Sequence, residues 1–410
     1  MNNDYAVLRD LARQYAAIAA DPVQQQRREL WADHLSLRPT RPLVCTIVGP
    51  WDAWIGEILA DANLRCADPL LRGVERDLRW WLMRASWESD DIIEPWINVG
   101  AVHANEKEKL WGVEIVAHRT HHGGAAKYDE PIRTWNDLAR LKPPQHCIDE
   151  AATAARIARV EEAIDGIVTV NCFRSPRCLN FTADISTDIG ALRGIEQIMI
   201  DMVEDPEGLE HMLAIMRDGV LNNQNQAEAA GDFCLACGHN QAMPYCRDLP
   251  WPKANTRAVR KQLWGHMAAQ EFTGVSPGMH EQFLLNYQMP ILEKFGLIAY
   301  GCCEDLTHKI TMLRKIPNLR MIGVSPFADV ARCAEQIGTD YVLSWRPSPA
   351  NTVSGSWDPA RVRRILSEGL AATKGTYNHI MLKDAYTVQG EPERMRKFCL
   401  MARELAESAG

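Results

Sequence analysis

The feature that most constrains this fold is the alternation of short apolar segments with longer helical ones. The run that follows Pro42 ends at Gly49-Pro50, which is typical of a buried strand and a chain breaker. Similar strands are predicted at 166–171, 233–238, 297–301, 319–325, 341–345 and 379–383, with a weaker one at 92–99. Because these segments are apolar throughout, they indicate a parallel sheet covered by helices.

Helical patterns separate most of these strands. Asp205, Pro206 and Glu207 have the character of a helix start, and this helix is predicted to end at Gly231. Helices are also predicted over 1–40, 255–273 and 280–295. About eight such units favour a closed (β/α)8 TIM barrel, and no Gly-x-Gly-x-x-Gly follows a strand to indicate a nucleotide site. The predicted organisation is therefore an N-terminal helical extension at 1–40 and an α/β barrel at 41–410.

Composition excludes several functional classes. The chain of 410 residues carries a formal net charge of −8, which disfavours nucleic acid as a partner. It has no apolar run of about 18 residues and no signal-peptide pattern at its start, so we expect no membrane association and a cytoplasmic location. Its 12 cysteines should then stay reduced.

Polar residues follow most of the predicted strands. In a barrel of this kind, the loops after the strands build the active site. The segments after three of the strands are Cys302-Cys303-Glu304, His239-Asn240 and Lys383-Asp384. We therefore expect these residues to share one pocket at the carboxyl ends of the strands.

Cys302 is the candidate with the most chemical options. It is either a buried core thiol, a nucleophile or a metal ligand, because zinc accepts Cys, His and carboxylate ligands in tetrahedral geometry. His239 and Glu304 are the residues that would complete such a zinc site, although a single histidine is equally compatible with a structural role. Gly238 beside His239 would let the backbone approach a ligand closely.

The charged candidates also have two interpretations each. Lys383 and Asp384 form either a structural ion pair or a substrate-binding pair, in which the lysine holds an anion and the aspartate accepts a proton. Asp91 lies either in a solvated helix start or in the site as an acid. Arg174 binds an anionic group or makes surface ion pairs. Tryptophans such as Trp51 and Trp96 belong to the core or wall a cavity for a flat or cationic ligand.

Several motifs resemble the uroporphyrinogen-decarboxylase-like superfamily over roughly residues 40 to 405. The segment 192–197, followed by Asp201 and 205–207, is similar to a helical region of that group, and so is Val275-Ser276-Pro277 with its following Glu281. The superfamily includes the haem-pathway decarboxylase and methyltransferases that move methyl groups to or from corrinoid proteins and thiols. The resemblance implies a barrel enzyme of the methyltransferase-related branch.

Departures from the family patterns separate the alternatives. Cys302 matches a zinc ligand of the methyltransferases, but Tyr300 stands at the position of their histidine and Lys383 or Asp384 at that of their last cysteine. Asp91 would take the place of the decarboxylase's aspartate. The decarboxylase's arginine-rich signature is absent, because 48–54 reads Val-Gly-Pro-Trp-Asp-Ala-Trp.

The leading hypothesis is a methyltransferase that acts on a small methylated substrate with a corrinoid or thiol acceptor. Zinc and a corrinoid such as methylcobalamin are the candidate cofactors, and a corrinoid protein and a second copy of the chain are candidate partners. One alternative is a metal-independent decarboxylase or lyase acting on a small carboxylate; another is a corrinoid- or porphyrin-binding protein without activity. The candidate residues are Asp91, Tyr300, Glu304, Lys383 and Asp384 for catalysis, Trp51, Trp96, Arg174, His239 and Asn240 for substrate binding, and Cys302 with His239 for metal.

Overall fold

The computed structural model describes residues 3–119, 126–236, 241 and 243–409. Its strands are β1 Leu43–Ile47, β2 Trp96–Gly100, β3 Val116–Arg119, β4 Ala126–Asp129, β5 Thr169–Phe173, β6 Trp264–Met267, β7 Leu297–Tyr300, β8 Leu319–Val324, β9 Val342–Trp345 and β10 Tyr377–Lys383. Its α-helices are α1 Asn3–Ala19, α2 Pro22–His34, α3 Ala53–Ile58, α4 Pro69–Ala85, α5 Glu150–Ile164, α6 Ser186–Arg193, α7 Ile195–Glu204, α8 Pro206–Ala230, α9 Pro277–His280, α10 Asn286–Leu292, α11 Ile310–Leu313, α12 Val330–Ile337, α13 Pro359–Ala372 and α14 Glu393–Ala409.

The main sheet is parallel and open. Its six strands lie in the order β1-β10-β9-β8-β7-β6, while β2 and β5 form a separate parallel pair and β3 and β4 an antiparallel ribbon. The expected closed TIM barrel is therefore wrong, because the six strands curl into a half-barrel that does not close through β2 and β5. The strands still run parallel, so their carboxyl ends meet at one edge.

Side chains occupy the positions where a closed barrel would have further strand pairing. The carboxylate of Asp90 accepts a hydrogen bond from the backbone N–H of Val44 in β1, and that of Asp91 accepts one from Thr46. On the other side, Asn255 bonds the edge of β5 through the N–H of Cys172. These side chains satisfy backbone groups that a neighbouring strand would otherwise bond, which explains why the ladder stops there.

Residues alternate between the two faces of the main sheet. The inner face carries a cluster that includes Cys45, Ala299 and Met381, and Trp31 of α2 packs against it. The outer face carries neighbours such as Tyr300, which join the larger core beneath the helices. Both faces are apolar because helices or the curled sheet itself cover them.

Some predicted elements are confirmed and others are wrong. The helix after Asp205 is α8, its N-cap carboxylate accepts from Gly208, and Gly231 ends it in the left-handed region with φ 74°. The helix predicted over 255–273 is wrong, since this stretch contains the buried strand β6 between short 3-10 turns. The strand predicted at 233–238 is a single bridge at Cys234, and residues 237 and 238 lie outside the described ranges.

The amino-terminal helices are part of the folded body. Helix α1 packs against α4 and α5 and buries Leu8, Leu11 and Tyr15 in a cluster with Val170 of β5. In this way α1, α4 and α5 together cover the small β2–β5 sheet. No helix in the described part of the chain is long and apolar enough to cross a bilayer.

Candidate functional site

A large cavity opens at the carboxyl ends of the main sheet. Its volume is about 1270 Å³, and it reaches Cys45 and Met381 on the inner face of the sheet. This exceeds the roughly 300–1,000 Å³ of ordinary small-molecule pockets. Much of the wall is aromatic, with side chains from Trp51, Trp80, Trp81, Trp96, Phe173, Phe181, Phe327 and Tyr386.

A group of sulphur atoms and charges lies at one place in this cavity wall. The Lys383 ammonium donates to Cys302 Sγ at 2.9 Å and to Cys303 Sγ at 3.2 Å, and it also pairs with Asp384 Oδ2 at 3.0 Å. The two sulphurs are 3.6 Å apart. Cys302 and Lys383 are buried from bulk water, yet both line the cavity. The cluster can therefore reach a molecule bound there.

Backbone geometry brings these side chains together. Lys383 ends β10 and Cys302 follows β7, which are three strands apart, about 14 Å in a flat sheet. The curl of the sheet shortens that separation to a hydrogen bond. Gly301 turns the chain with φ 106°, where a Cβ would meet Leu306 at 2.7 Å. Asp384 also has a positive φ of 56°, an uncommon conformation for a residue other than glycine.

The hydrogen bond from Cys303 and the nearby ammonium make the Cys302 thiol acidic. The hydrogen bond from Cys303 and the charges of Lys383 and Arg346 lower the pKa of Cys302 to about 7, against the opposing effect of burial. The pKa of Cys303 is raised, because its thiol donates toward Cys302 and is itself buried. Burial and Arg346 oppose the charge of Lys383, but Cys302, Asp384 and Cys303 outweigh them and raise the pKa of the lysine. Near neutral pH the cluster therefore holds a thiolate–ammonium pair.

Glu304 and Arg346 fix the loop that carries Cys302. Glu304 accepts hydrogen bonds at 2.8 Å from the backbone N–H groups of Cys302 and Ala269. The buried Arg346 donates through Nη1 to the carbonyl oxygen of Cys302, and its Nε and Nη2 have no hydrogen-bond partner among the described residues. Glu304 does not line the cavity, so its visible role is to position the cysteine.

Besides Glu304, two further expected catalytic residues do not line the cavity. Tyr300 is on the outer face of the sheet, where its hydroxyl donates to Gln288 at 2.7 Å. Asp91 is buried and accepts hydrogen bonds from Thr46, Ser89 and Arg84. Neither side chain lines the cavity itself, although Thr46 and Arg84, which bond Asp91, do line it.

The expected substrate-binding residues have different locations. Trp51 and Trp96 line the cavity, and Trp51 is 57% exposed at its mouth. Arg174 does not line it and pairs instead with Glu150 and Asp232. His239 and Asn240 lie outside the described residues.

A smaller chamber shares one wall with the main cavity. It measures about 230 Å³ and is bounded by Trp80, Trp81, Trp96, Glu94 and Asp77. All of these except Asp77 also line the main cavity. Sequence reasoning missed the chamber because Asp77, Trp80 and Trp81 belong to α4, and no strand end marks them.

The described residues do not by themselves form a zinc site. Within the ranges given above, no three His, Cys, Asp or Glu side chains are arranged to hold a metal ion. The cation next to Cys302 Sγ is the ammonium of Lys383, at 2.9 Å. The zinc hypothesis also requires His239, which lies outside the described residues, so it stays a prediction.

Comparison with known proteins gives a likeness of fold. A methyltransferase from Methanosarcina mazei superposes with a TM-score of 0.55 at 13% sequence identity, over 92% of this chain and 97% of that one. No family model and no curated protein matches the sequence. At this identity the likeness shows the fold alone, and membership of the uroporphyrinogen-decarboxylase-like superfamily stays a prediction.

Proposed function

We propose that this chain is a methyltransferase that transfers a methyl group between a small methylated substrate and a thiol, or a corrinoid carrier, in the main cavity. The observation that supports this most is the Cys302–Lys383 pair in the cavity wall. The fold likeness to a methyltransferase agrees with the proposal. The motifs of the uroporphyrinogen-decarboxylase-like superfamily point in the same direction.

The thiolate–ammonium pair suits the activation of an acceptor thiol. A thiol must lose its proton before it attacks a methyl group, and a base works best when its pKa lies near the working pH. Cys302, with its pKa lowered to about 7 by Cys303 and Lys383, can take that proton. The Lys383 ammonium then stabilises the thiolate of the acceptor, which attacks the methyl carbon while the donor atom leaves.

The size of the cavity also fits a corrinoid acceptor. Its volume of about 1270 Å³ leaves room for a small substrate beside part of a large ring, and indole walls such as Trp51 and Trp96 suit a flat surface. A corrinoid would supply a carrier for the methyl group. The chain's own residues would bind the substrate and keep water away from the transfer.

The decarboxylase alternative has less support. It depends on Asp91 as an acid or anchor, but that carboxylate is buried, does not line the cavity and already accepts hydrogen bonds from Thr46, Ser89 and Arg84. We therefore prefer methyl transfer.

A donor panel tests the proposal. Purified protein would be incubated with methylamines, betaines, methyl thioethers and methoxy-aromatics, each with a simple thiol or with reduced cobalamin. S-methyl product would be followed by NMR and methylcobalamin by its absorbance. We expect turnover with at least one donor and its loss in Cys302→Ser, while Cys147→Ser, which changes an exposed cysteine, keeps it. Turnover that survives in Cys302→Ser would remove the pair from the mechanism, and no methyl transfer with any donor would refute the function.

A further inference from the structure

We propose that the chamber beside the main cavity binds a methylated ammonium cation, and that this cation is the substrate class of the enzyme. The statement that this cation is the substrate rests on the proposed function. The statement that the cation binds rests on the chamber alone. Three tryptophans and two carboxylates converge on about 230 Å³, roughly eight times the volume of a water molecule in the liquid. A small headgroup fits in that space, whereas a ring cofactor does not.

The indole rings provide a surface that attracts cations. The rings of Trp80 and Trp81 pack at 4.5 Å between centroids, and both rings line the chamber. The protein already uses them in this way, because the guanidinium of Arg84 lies 5.6 Å from Trp80 and 5.1 Å from Trp81. Arg84 is paired with Asp91 at 2.7 Å, so its charge is compensated within the protein. Methylated ammonium groups are strongly favoured in such aromatic surroundings.

Asp77 provides the negative charge that such a site needs. Asp77 is exposed, and within the described part of the chain it makes no hydrogen bond and no ion pair. Crowding by the surrounding protein raises the pKa of this carboxyl to about 6 against the charge of Arg76, so the carboxylate is still ionised at neutral pH. Its neighbour Arg76 is directed to Asp61 instead.

The second carboxylate is already paired. Glu94 accepts hydrogen bonds from the Tyr245 hydroxyl at 2.8 and 2.9 Å and from Arg28 at 3.1 Å. It thus forms a fixed polar wall and leaves Asp77 as the carboxylate of the chamber without an ion-pair partner among the described residues. An ammonium that carries methyl groups would meet Asp77 through its charge and the indoles through its methyl carbons. It needs few hydrogen bonds, and the chamber offers few.

A pocket that binds an anion or an uncharged apolar ligand would have different walls. The carboxylate of Asp77 would repel an anion, and an uncharged apolar ligand would displace water from that carboxylate without replacing its hydrogen bonds. The chemistry of the walls therefore favours a cation whose surface is apolar.

The test is a direct binding measurement without turnover. The full chain would be titrated with tetramethylammonium and, separately, with its uncharged relative tert-butanol, with calorimetry and tryptophan fluorescence as readouts. We expect saturable binding of the cation and at least about tenfold weaker binding of the alcohol. Asp77→Asn should weaken cation binding about tenfold or more, and the matched surface change Glu335→Gln should not alter it.

Two outcomes would overturn the inference. Equal affinity for the cation and the alcohol would show that charge is not recognised, and wild-type affinity in Asp77→Asn would show that the chamber is not the site. Because Asp77 has no partner to lose, its variant should fold, which a thermal melt verifies. Cation binding without methyl transfer would refute the proposed function alone, while methyl transfer from neutral donors without cation binding would refute this inference alone.

Discussion

Replacing Lys383 with methionine should raise the pKa of Cys302 by at least about two units. The ammonium lies 2.9 Å from the sulphur. At an effective dielectric constant of about 20, two unit charges at that distance attract by about 6 kcal/mol, or about four pKa units. The hydrogen bond from Cys303, water that enters the vacated space and the remaining charge of Arg346 would offset part of this loss, so we expect the pKa to move from about 7 to about 9 or higher.

The assay is the pH dependence of alkylation at this single thiol. Wild-type and Lys383→Met proteins would be treated with iodoacetamide across a pH series, digested, and analysed by fragmentation mass spectrometry to separate Cys302 from Cys303. At pH 7.5 the thiolate fraction should fall from about three quarters to about three per cent. The midpoint of the profile is the quantity to compare, because a thiolate of higher pKa is also intrinsically more nucleophilic.

A control and a refuting result complete this experiment. Lys374→Met removes an exposed lysine and should leave the midpoint unchanged. If the midpoint of Lys383→Met stays within a few tenths of a pH unit of wild type, the lysine does not hold the thiolate. The mechanism proposed for the acceptor thiol would then lose its basis.

Three further predictions concern stability. Gly301→Ala should destabilise the fold by about 1–3 kcal/mol in thermal melts, because φ is 106° and the new Cβ would meet Leu306. The control Gly100→Ala, which has open space around it, should cost under about 1 kcal/mol in the same melts. Arg193→Leu should cost about 3–5 kcal/mol in urea titrations, because it leaves the buried Asp201 carboxylate unpaired, whereas Arg364→Leu on the surface should change stability by under about 0.5 kcal/mol. Burial lowers the pKa of His280 to about 3 from an ordinary 6.5, so its contribution is complete above pH 6.5 and is lost as the pH falls toward 3. The stability gap between wild type and His280→Phe should therefore shrink by about 2 kcal/mol between pH 7 and pH 5, and an unchanged gap would contradict burial of a neutral imidazole.

The strands could be predicted from the sequence better than their assembly. Five strands are apolar runs between chain breakers, and such runs predict buried strands: β1, β7, β8, β9 and β10. Closure of the sheet depends on which groups bond the edges of β1 and β5. Here they are the side chains of Asp90, Asp91 and Asn255, and composition does not indicate that a carboxylate or amide will replace a strand. Strand β6 was hidden because Trp264, Met267 and Phe272 are also spaced as on a helix.

The candidate site could likewise be predicted only in part from the sequence. The rule that polar residues follow strands led to Cys302, Lys383 and Asp384, which the structure brings together. Tyr300 alternates with Ala299 of the inner face, so the period of two puts it on the outer face, and the turn at Gly301 breaks the alternation before Cys302. That register is fixed by long-range pairing, which a single sequence does not reveal. Asp77, Trp80 and Trp81 lie on α4 and follow no strand, so this rule does not indicate that they share a chamber.

Helix α1 contributes to the small chamber as well as to the hydrophobic core. Tyr15, near its end, bounds the small chamber and donates a hydrogen bond to the backbone of Trp96 at 3.0 Å. Through Tyr15, helix α1 thus forms part of one wall of the chamber that we propose binds a cation. Deleting α1 would therefore remove both the Tyr15 wall and the hydrogen bond that holds Trp96, so ligand binding should be compared only between proteins with the same amino terminus.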